Sequence, residues 1–119
     1  MNIIVTGGSG FIGSALIRLL IKEKKYNILN IDNMTYAANL KSLDSVKKSK
    51  RYSFKKIDIC NHKKIKDAVY NFMPDAIMHL AAESHVDNSI SGSDIFIKTN
   101  IIGTHVLLEV TREYLKEKY

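Results

Sequence analysis

Short apolar runs alternate with segments of helical spacing along most of the chain. Asn2 to Thr6 is a β-rich apolar run of the kind that fills a buried parallel strand. Phe11 to Lys24 has helical spacing, with Ile12, Leu16, Leu19 and Leu20 on one face. Tyr26 to Ile31 predicts a second strand that ends at Asp32, followed by a loop over Asn33 to Ala38 and a short helix over Asn39 to Lys48. Tyr52 to Ile59 predicts a third strand, and its internal Lys55 and Lys56 suit an edge position. Lys63 to Phe72 predicts a helix that Pro74 stops. Asp75 to Ala81 predicts a fourth strand, apolar from Ala76 to Met78. Ser93 to Lys116 predicts a long helix with Ile95, Thr99, Ile102, Val106 and Val110 along one stripe.

Strands separated by helices pair in parallel through right-handed crossovers. The order βαβαβαβα therefore predicts one α/β domain over residues 1–119, a Rossmann-like doubly wound parallel sheet with four strands in the order 3-2-1-4. Such a sheet is incomplete: the outer edge of the fourth strand is open and the last helix lacks a neighbour. A marginally stable chain prone to association is the expectation.

Composition narrows the class. With 45% hydrophobic and 25% charged residues in 119, the chain reads as an ordinary globular one. No apolar run approaches the roughly 18 residues of a membrane span, and no basic segment precedes the first apolar stretch. No membrane is expected, and the cytoplasm is the expected compartment. Cys60 is the single cysteine, which excludes an intrachain disulfide and a cysteine-rich zinc site. Net charge is +6, and ten of the 18 basic residues lie between Lys41 and Lys66, where only Asp44 and Asp58 oppose them. No aromatic ladder accompanies that charge, so it reads as a solvated face around two turns and not as a nucleic-acid surface. Such a field still helps attract an anionic nucleotide. His62, His79, His85 and His105 lack ligand spacing, so no metal is expected; His79 reads as a strand residue with a satisfied hydrogen bond.

The chemistry sits at the first turn, Thr6-Gly7-Gly8-Ser9-Gly10-Phe11-Ile12-Gly13. Gly7, Gly10 and Gly13 follow a strand and open a helix. There the backbone can turn tightly and approach a pyrophosphate, and the helix start offers free N–H groups to that anion. Asp32 ends the second strand, 19 residues after Gly13. A carboxylate at that place accepts two ribose hydroxyls and repels a 2′-phosphate; no Arg stands beside it, which favours NAD over NADP. Asp58 ends the third strand on the same carboxyl edge. Small Ala81 and Ala82 after the fourth strand would let a cofactor lie against the backbone, and Ser84 offers a hydroxyl near its nicotinamide end.

These residues resemble the extended short-chain dehydrogenase/reductase fingerprint. The stretches Asp32 to Leu40, Asp58-Ile59-Cys60, His79 to Asp87, Thr99-Asn100 and Gly103-Thr104 are similar to those of the dTDP-glucose 4,6-dehydratases within that family. The resemblance covers essentially the whole chain and implies NAD contacts from Phe11, Ile12, Asp32, Asn33, Met34, Thr35, Asp58, Ile59, Leu80, Ala81, Ala82, Glu83, Ser84 and Thr99. It also implies that Ser84 touches the substrate sugar, and that the family works as a homodimer. The implied reaction takes a hydride from C4 of the dTDP-glucose sugar, eliminates water across C5–C6 and returns the hydride to C6, a step in nucleotide-sugar and rhamnose biosynthesis. Ala38, Asn88, Ser93 and Lys98 depart from the family's usual Gly, Arg, Pro and Glu.

The family's Thr-Asp-Glu and Tyr-x-x-x-Lys segments belong beyond residue 119, as does the substrate domain. The chain is thus expected to be the N-terminal part of the NAD-binding domain, truncated and inactive alone, with no catalytic residue assigned. Tyr52…Lys56 and Tyr114…Lys118 fit Tyr-x-x-x-Lys at a frequency that chance explains among so many lysines. Two alternatives stay open: a non-enzymatic NAD-binding module or non-functional fragment, and another extended short-chain enzyme such as a nucleotide-sugar epimerase, which the Glu83-Ser84-His85-Val86-Asp87 stretch disfavours.

Overall fold

A computed structural model describes residues 1–35, 38–39 and 41–119. Four strands form one parallel sheet in the order β3-β2-β1-β4: β1 is Asn2–Thr6, β2 Asn27–Asp32, β3 Tyr52–Lys56 and β4 Ala76–His79. This is the sheet order that the strand–helix alternation predicts. Strand pleating sends alternate side chains to opposite faces. Ile3, Val5 and Ile28 pack beneath α1 (Phe11–Lys22), joined there by Leu43 and Val46. Ile4, Leu29 and Ile31 face the other way, against α2 (His62–Phe72) and α5 (Thr104–Lys118). Both faces of the central strands β1 and β2 are covered, as a parallel sheet requires, while the edge strand β3 is largely exposed.

Helix ends have identifiable causes. Asn61 accepts the Lys64 N–H at 3.1 Å and starts α2; Met73 ends it in the left-handed region (φ 51°), just before Pro74. Arg51 donates to the Ile21 and Tyr26 carbonyls at 2.8 and 3.2 Å and so closes the end of α1.

Several sequence expectations need correction. The residues buried on α1 are Gly13, Ser14, Ile17, Leu20 and Ile21, while Ile12 and Leu19 are exposed. Gly13 seats directly against the Gly7 carbonyl, and that close approach sets the roll of the helix. The helix expected over Asn39 to Lys48 is a series of turns with bonds three residues apart, such as Ser42 N–H to Asn39 C=O and Val46 N–H to Leu43 C=O. The Asn39 side chain captures the Lys41 N–H and Arg18 captures the Ser42 carbonyl, both of which compete with a helix. Tyr36, Ala37 and Leu40 lie outside the described residues. β3 stops at Lys56 and not Ile59, because β2 ends at Asp32 and offers no further partner. β4 stops at His79 and not Ala81, because β1 ends at Thr6: the Leu80 N–H still reaches the Thr6 carbonyl at 3.1 Å, but the Ala81 N–H turns to the Thr6 hydroxyl.

The last helical region is also more divided than its spacing predicts. A short helix α3 (Val86–Ser91) precedes it; α3 buries no residue, so no apolar stripe announced it. Gly92 separates α3 from α4 (Ser93–Phe96), which runs through a π-helical segment, Ile97–Gly103, into α5. The wider π turn shifts the phase of the buried face. Of the expected stripe, Val110 is buried and Val106 packs against the core, but Ile95 and Ile102 are exposed, and Gly103, Leu107 and Tyr114 complete the inward face with Val110.

Candidate functional site

The carboxyl ends of β1 and β4 border a cleft of about 530 Å³. Its floor is the glycine turn, and the glycines have different causes. Gly7 has φ +68°, and a Cβ on it would lie 2.6 Å from the Ala81 nitrogen, so the turn presses on the loop after β4. A Cβ on Gly13 would run into the Gly7 carbonyl and come within 2.8 Å of the Gly8 Cα. Gly10 differs: the nearest atom to its Cβ would be the Gly7 oxygen at 3.4 Å, an ordinary contact, and Gly10 lines the cleft. The fold leaves room for a Cβ at Gly10, so close packing does not by itself account for the glycine there. Helix α1 begins here without a side-chain cap and with no acid in its first turn, so its positive end is open to an anion.

Asp32 closes the β2 end. It is only 9% exposed, and its carboxylate accepts the Ser9 N–H at 2.9 Å and the Met34 N–H at 2.7 Å. One bond per oxygen leaves each with acceptor capacity, which suits a pair of vicinal hydroxyls. Asp58 follows β3 and accepts the Cys60 N–H at 2.9 Å, which shapes the turn beside the cleft. Cys60 donates to the Lys98 carbonyl at 3.2 Å, and burial followed by the Asp58 charge pushes its thiol pKa up. A raised pKa makes it a poor nucleophile.

The loop after β4 is tied down by a chain of hydrogen bonds. The Thr6 hydroxyl accepts the Leu80 and Ala81 N–H groups at 3.1 and 3.2 Å, so its own proton goes to His79 Nδ1 at 2.6 Å. His79 Nε2 then carries the ring hydrogen and donates to Thr104 Oγ1 at 3.0 Å, while Thr104 donates to the Asn100 carbonyl at 2.7 Å. This pattern requires a neutral His79, and burial lowers its pKa accordingly. Asn100, in the π segment, grips the Glu83 backbone twice: Oδ1 accepts its N–H at 2.8 Å and Nδ2 donates to its C=O at 3.0 Å. Asn100→Ala is expected to speed amide exchange at Glu83 and to cost roughly 1 kcal/mol; hydrogen exchange followed by NMR checks it.

Of the residues that the sequence assigns to the cofactor, all but Met34 line this cleft: Gly7, Gly10, Phe11, Ile12, Gly13, Asp32, Asn33, Thr35, Asp58, Ile59, Leu80, Ala81, Ala82, Glu83, Ser84 and Thr99. Met34 adopts φ 56° and contributes its backbone N–H to Asp32. Ile31, Ile57, Ala38, His85 and Ile95 also line the cleft, and none of them is among the residues assigned to the cofactor from the sequence. Asn100, Thr6 and His79 had no organising role assigned, although Thr6 and His79 are register partners on neighbouring strands. Tyr114 is buried in the core, its hydroxyl on the Pro74 carbonyl, and the Tyr52 hydroxyl accepts from Asn30; neither lines the cleft. Among the described residues, no cluster of three or more His, Cys, Asp or Glu could hold a metal. No described helix is long and apolar enough to cross a membrane.

Residues 4–119 match the family described as GDP-mannose 4,6 dehydratase. The dTDP-glucose 4,6-dehydratase of Haemophilus influenzae is 56% identical over 114 residues, 96% of this chain and 34% of its own length. That of Salmonella typhimurium is 54% identical, over 96% of this chain and 32% of its own. Among solved structures, the dTDP-glucose 4,6-dehydratase of Streptomyces venezuelae with NAD bound superposes with a TM-score of 0.89 at 37% identity, covering 96% of this chain and 36% of that one. UDP-glucose 4-epimerase of Thermotoga maritima gives 0.85 at 34% identity, covering 96% and 35%. The chain spans about a third of the length of the curated relatives it matches. It belongs to the GDP-mannose 4,6 dehydratase family, and within it corresponds to the N-terminal, Rossmann-type portion of the dTDP-glucose 4,6-dehydratases.

Proposed function

We propose that this chain is the NAD-binding part of a dTDP-glucose 4,6-dehydratase and that residues 1–119 bind the cofactor without turning over substrate. One observation carries the reading: Gly10 lines the cleft at a place where the fold leaves room for a Cβ, at the uncapped start of α1, with the Asp32 carboxylate at the end of β2 lining the same cleft. That is the shape of a pyrophosphate seat next to a ribose acceptor.

In this reading the Gly7–Gly13 turn holds the pyrophosphate, and Asp32 takes the adenosine ribose diol. Asn33, Met34, Thr35, Asp58 and Ile59 surround the adenosine end. Leu80, Ala81 and Ala82 form a smooth wall, and Glu83 and Thr99 flank the nicotinamide end. Bound NAD supplies a transient hydride acceptor. Ser84, exposed at the cleft rim, orients the sugar of the nucleotide-sugar substrate. The reaction also needs a base for the C4 hydroxyl and acid–base groups for the elimination, and none of the residues lining this cleft is assigned those tasks. The exposed row Ile97, Ile101, Leu108 and Leu115 along the last helix is where a homodimer contact fits. A cytoplasmic location agrees with a nucleotide-sugar substrate.

A titration calorimeter tests the reading. The 119-residue chain is expected to bind NAD and ADP-ribose, and NADP more weakly. Asp32→Ala is expected to weaken NAD by tenfold or more, roughly the worth of a hydrogen-bonded charge. Gly10→Val is expected to abolish binding with little change in melting temperature. Tighter binding of NADP than NAD, or Gly10→Val binding NAD normally, would refute it. Over the epimerase alternative, we favour the dehydratase because relatives above 50% identity carry that name.

A further inference from the structure

Beneath the glycine turn, outside the cleft lining, sits a fully buried polar side chain. Asn30 lies on the face of β2 that Ile28 presents to α1, and it is 0% exposed. Its amide nitrogen donates one N–H to Ser9 Oγ at 3.1 Å and the other to the Tyr52 hydroxyl at 3.1 Å. Its Oδ1 has no hydrogen-bond partner among the described residues. That oxygen lies directly below Gly8, where any Cβ would strike it and the Ile17 side chain. A buried acceptor left unmet is unfavourable, and a leucine of similar shape would fill the space without that cost. Packing alone therefore does not account for an amide at this position.

What the amide holds is Ser9. Ser9 is 3% exposed and ties the glycine turn to β2 and to the turn at Asn39: its side chain meets Asn30, its C=O accepts the Asn39 N–H at 3.0 Å, and its N–H donates to Asp32 Oδ2 at 2.9 Å. The other Asp32 oxygen is held by the Met34 N–H. The orientation of the carboxylate thus depends on the place of Ser9, and Ser9 is anchored from below by Asn30.

We infer that Asn30 is a positioning residue: through Ser9 it aims the Asp32 carboxylate at a ribose diol and against a 2′-phosphate, and so sets the choice between NAD and NADP. This rests on the nucleotide-binding reading above. Without the amide, Asp32 keeps its charge but loses the fixed direction of its Oδ2 bond. A diol then meets both oxygens less often, and a carboxylate turned aside opposes a 2′-phosphate less.

Calorimetric titration of the 119-residue chain with NAD and with NADP tests this in wild type, Asn30→Leu, Ser9→Ala and Val69→Ala. Val69 lies in the core on the other face of the sheet and serves as the stability control. The NAD-to-NADP affinity ratio is expected to fall about tenfold in Asn30→Leu and in Ser9→Ala, the scale of one charge-assisted hydrogen bond. It is expected to stay unchanged in Val69→Ala. Ser9→Ala removes only the oxygen that Asn30 holds, so it carries the prediction alone if Asn30→Leu fails to fold. An unchanged ratio in the folded variants, or an equal fall in Val69→Ala, overturns the role of Asn30 and leaves nucleotide binding intact. A wild-type chain that binds neither nucleotide overturns the binding reading and this proposal with it.

Discussion

Gly13→Ala is expected to lower folding stability by about 3 kcal/mol, the upper end of what overpacking costs. The new methyl group would enter the Gly7 carbonyl oxygen and crowd the Gly8 Cα. Both are backbone atoms held by the turn itself: the Gly7 N–H donates to the Ile31 carbonyl at 2.8 Å, and the Gly10 N–H returns to the Gly7 carbonyl at 3.2 Å. No rotamer change relieves the overlap, so α1 would have to lift from the sheet and strip contacts from Ile17, Leu20 and Ile21. Gly7→Ala is expected to cost at least as much. It adds roughly 1–2 kcal/mol for a left-handed residue with a Cβ to the collision with Ala81. For a chain of this size, with on the order of 10 kcal/mol in total, either change removes about a third of the stability. Gly10→Ala, one helical turn away, is expected to stay within about 0.5 kcal/mol, because its Cβ meets nothing closer than 3.4 Å. Urea unfolding of the three variants checks the order. Equal losses at Gly10 and Gly13 would mean that the glycines share one structural cause and that the opening at Gly10 has no bearing on a ligand.

The same contrast marks how far the sequence could be read. Strand order and the placing of the Gly7–Gly13 turn, Asp32, Asp58, Ala81, Ala82 and Ser84 at one sheet edge were legible because both follow from periodicity and position: a buried parallel strand is a short apolar run, and the carboxyl ends of such strands converge. The other cleft-lining residues assigned to the cofactor came from the family resemblance. What was not legible depends on which partner wins a contested backbone group. Residues 41–48 have helix formers at plausible spacing, but the Asn39 side chain and Arg18 bind local backbone groups first. The stripe along the last helix holds at Val106 and Val110 but fails at Ile95 and Ile102, because a π turn changes the residue-to-angle relation midway and no residue pattern announces it. The supports of the site were hidden for another reason. Thr6, Asn30, His79 and Asn100 look like ordinary strand or helix residues, and their tasks appear only when β1, β2, β4 and the π segment are brought together. Asn30 in a run of apolar residues, Ile28-Leu29-Asn30-Ile31, was the one visible irregularity.

Thr6→Val is expected to cost about 3 kcal/mol although it preserves shape almost perfectly. Thr6 is 0% exposed, and its hydroxyl serves His79, Leu80 and Ala81 together. Leu80 would keep the Thr6 carbonyl at 3.1 Å, but the Ala81 N–H and His79 Nδ1 would lose these bonds, each a loss of about 1–3 kcal/mol in a buried setting. The loop from Leu80 to Ala82 would then be free to leave Gly7, and the wall of the cleft would loosen with it. The same bonds give stability a pH dependence. Protonated His79 cannot accept the Thr6 hydroxyl, and burial holds its folded pKa below the ordinary 6.5. The unfolded chain therefore binds a proton at His79 before the folded one does. That contribution is present in full above pH about 6.5 and is lost as pH falls through the folded pKa. His79→Asn, whose Oδ1 can accept the Thr6 hydroxyl in place of Nδ1, is expected to flatten this part of the pH profile, which thermal melts between pH 7.5 and 5 would resolve. A wild-type melting temperature that rises on acidification across that interval, or a His79→Asn profile parallel to wild type, would place the proton-sensitive group elsewhere and leave the Thr6–His79–Thr104 chain a packing feature alone.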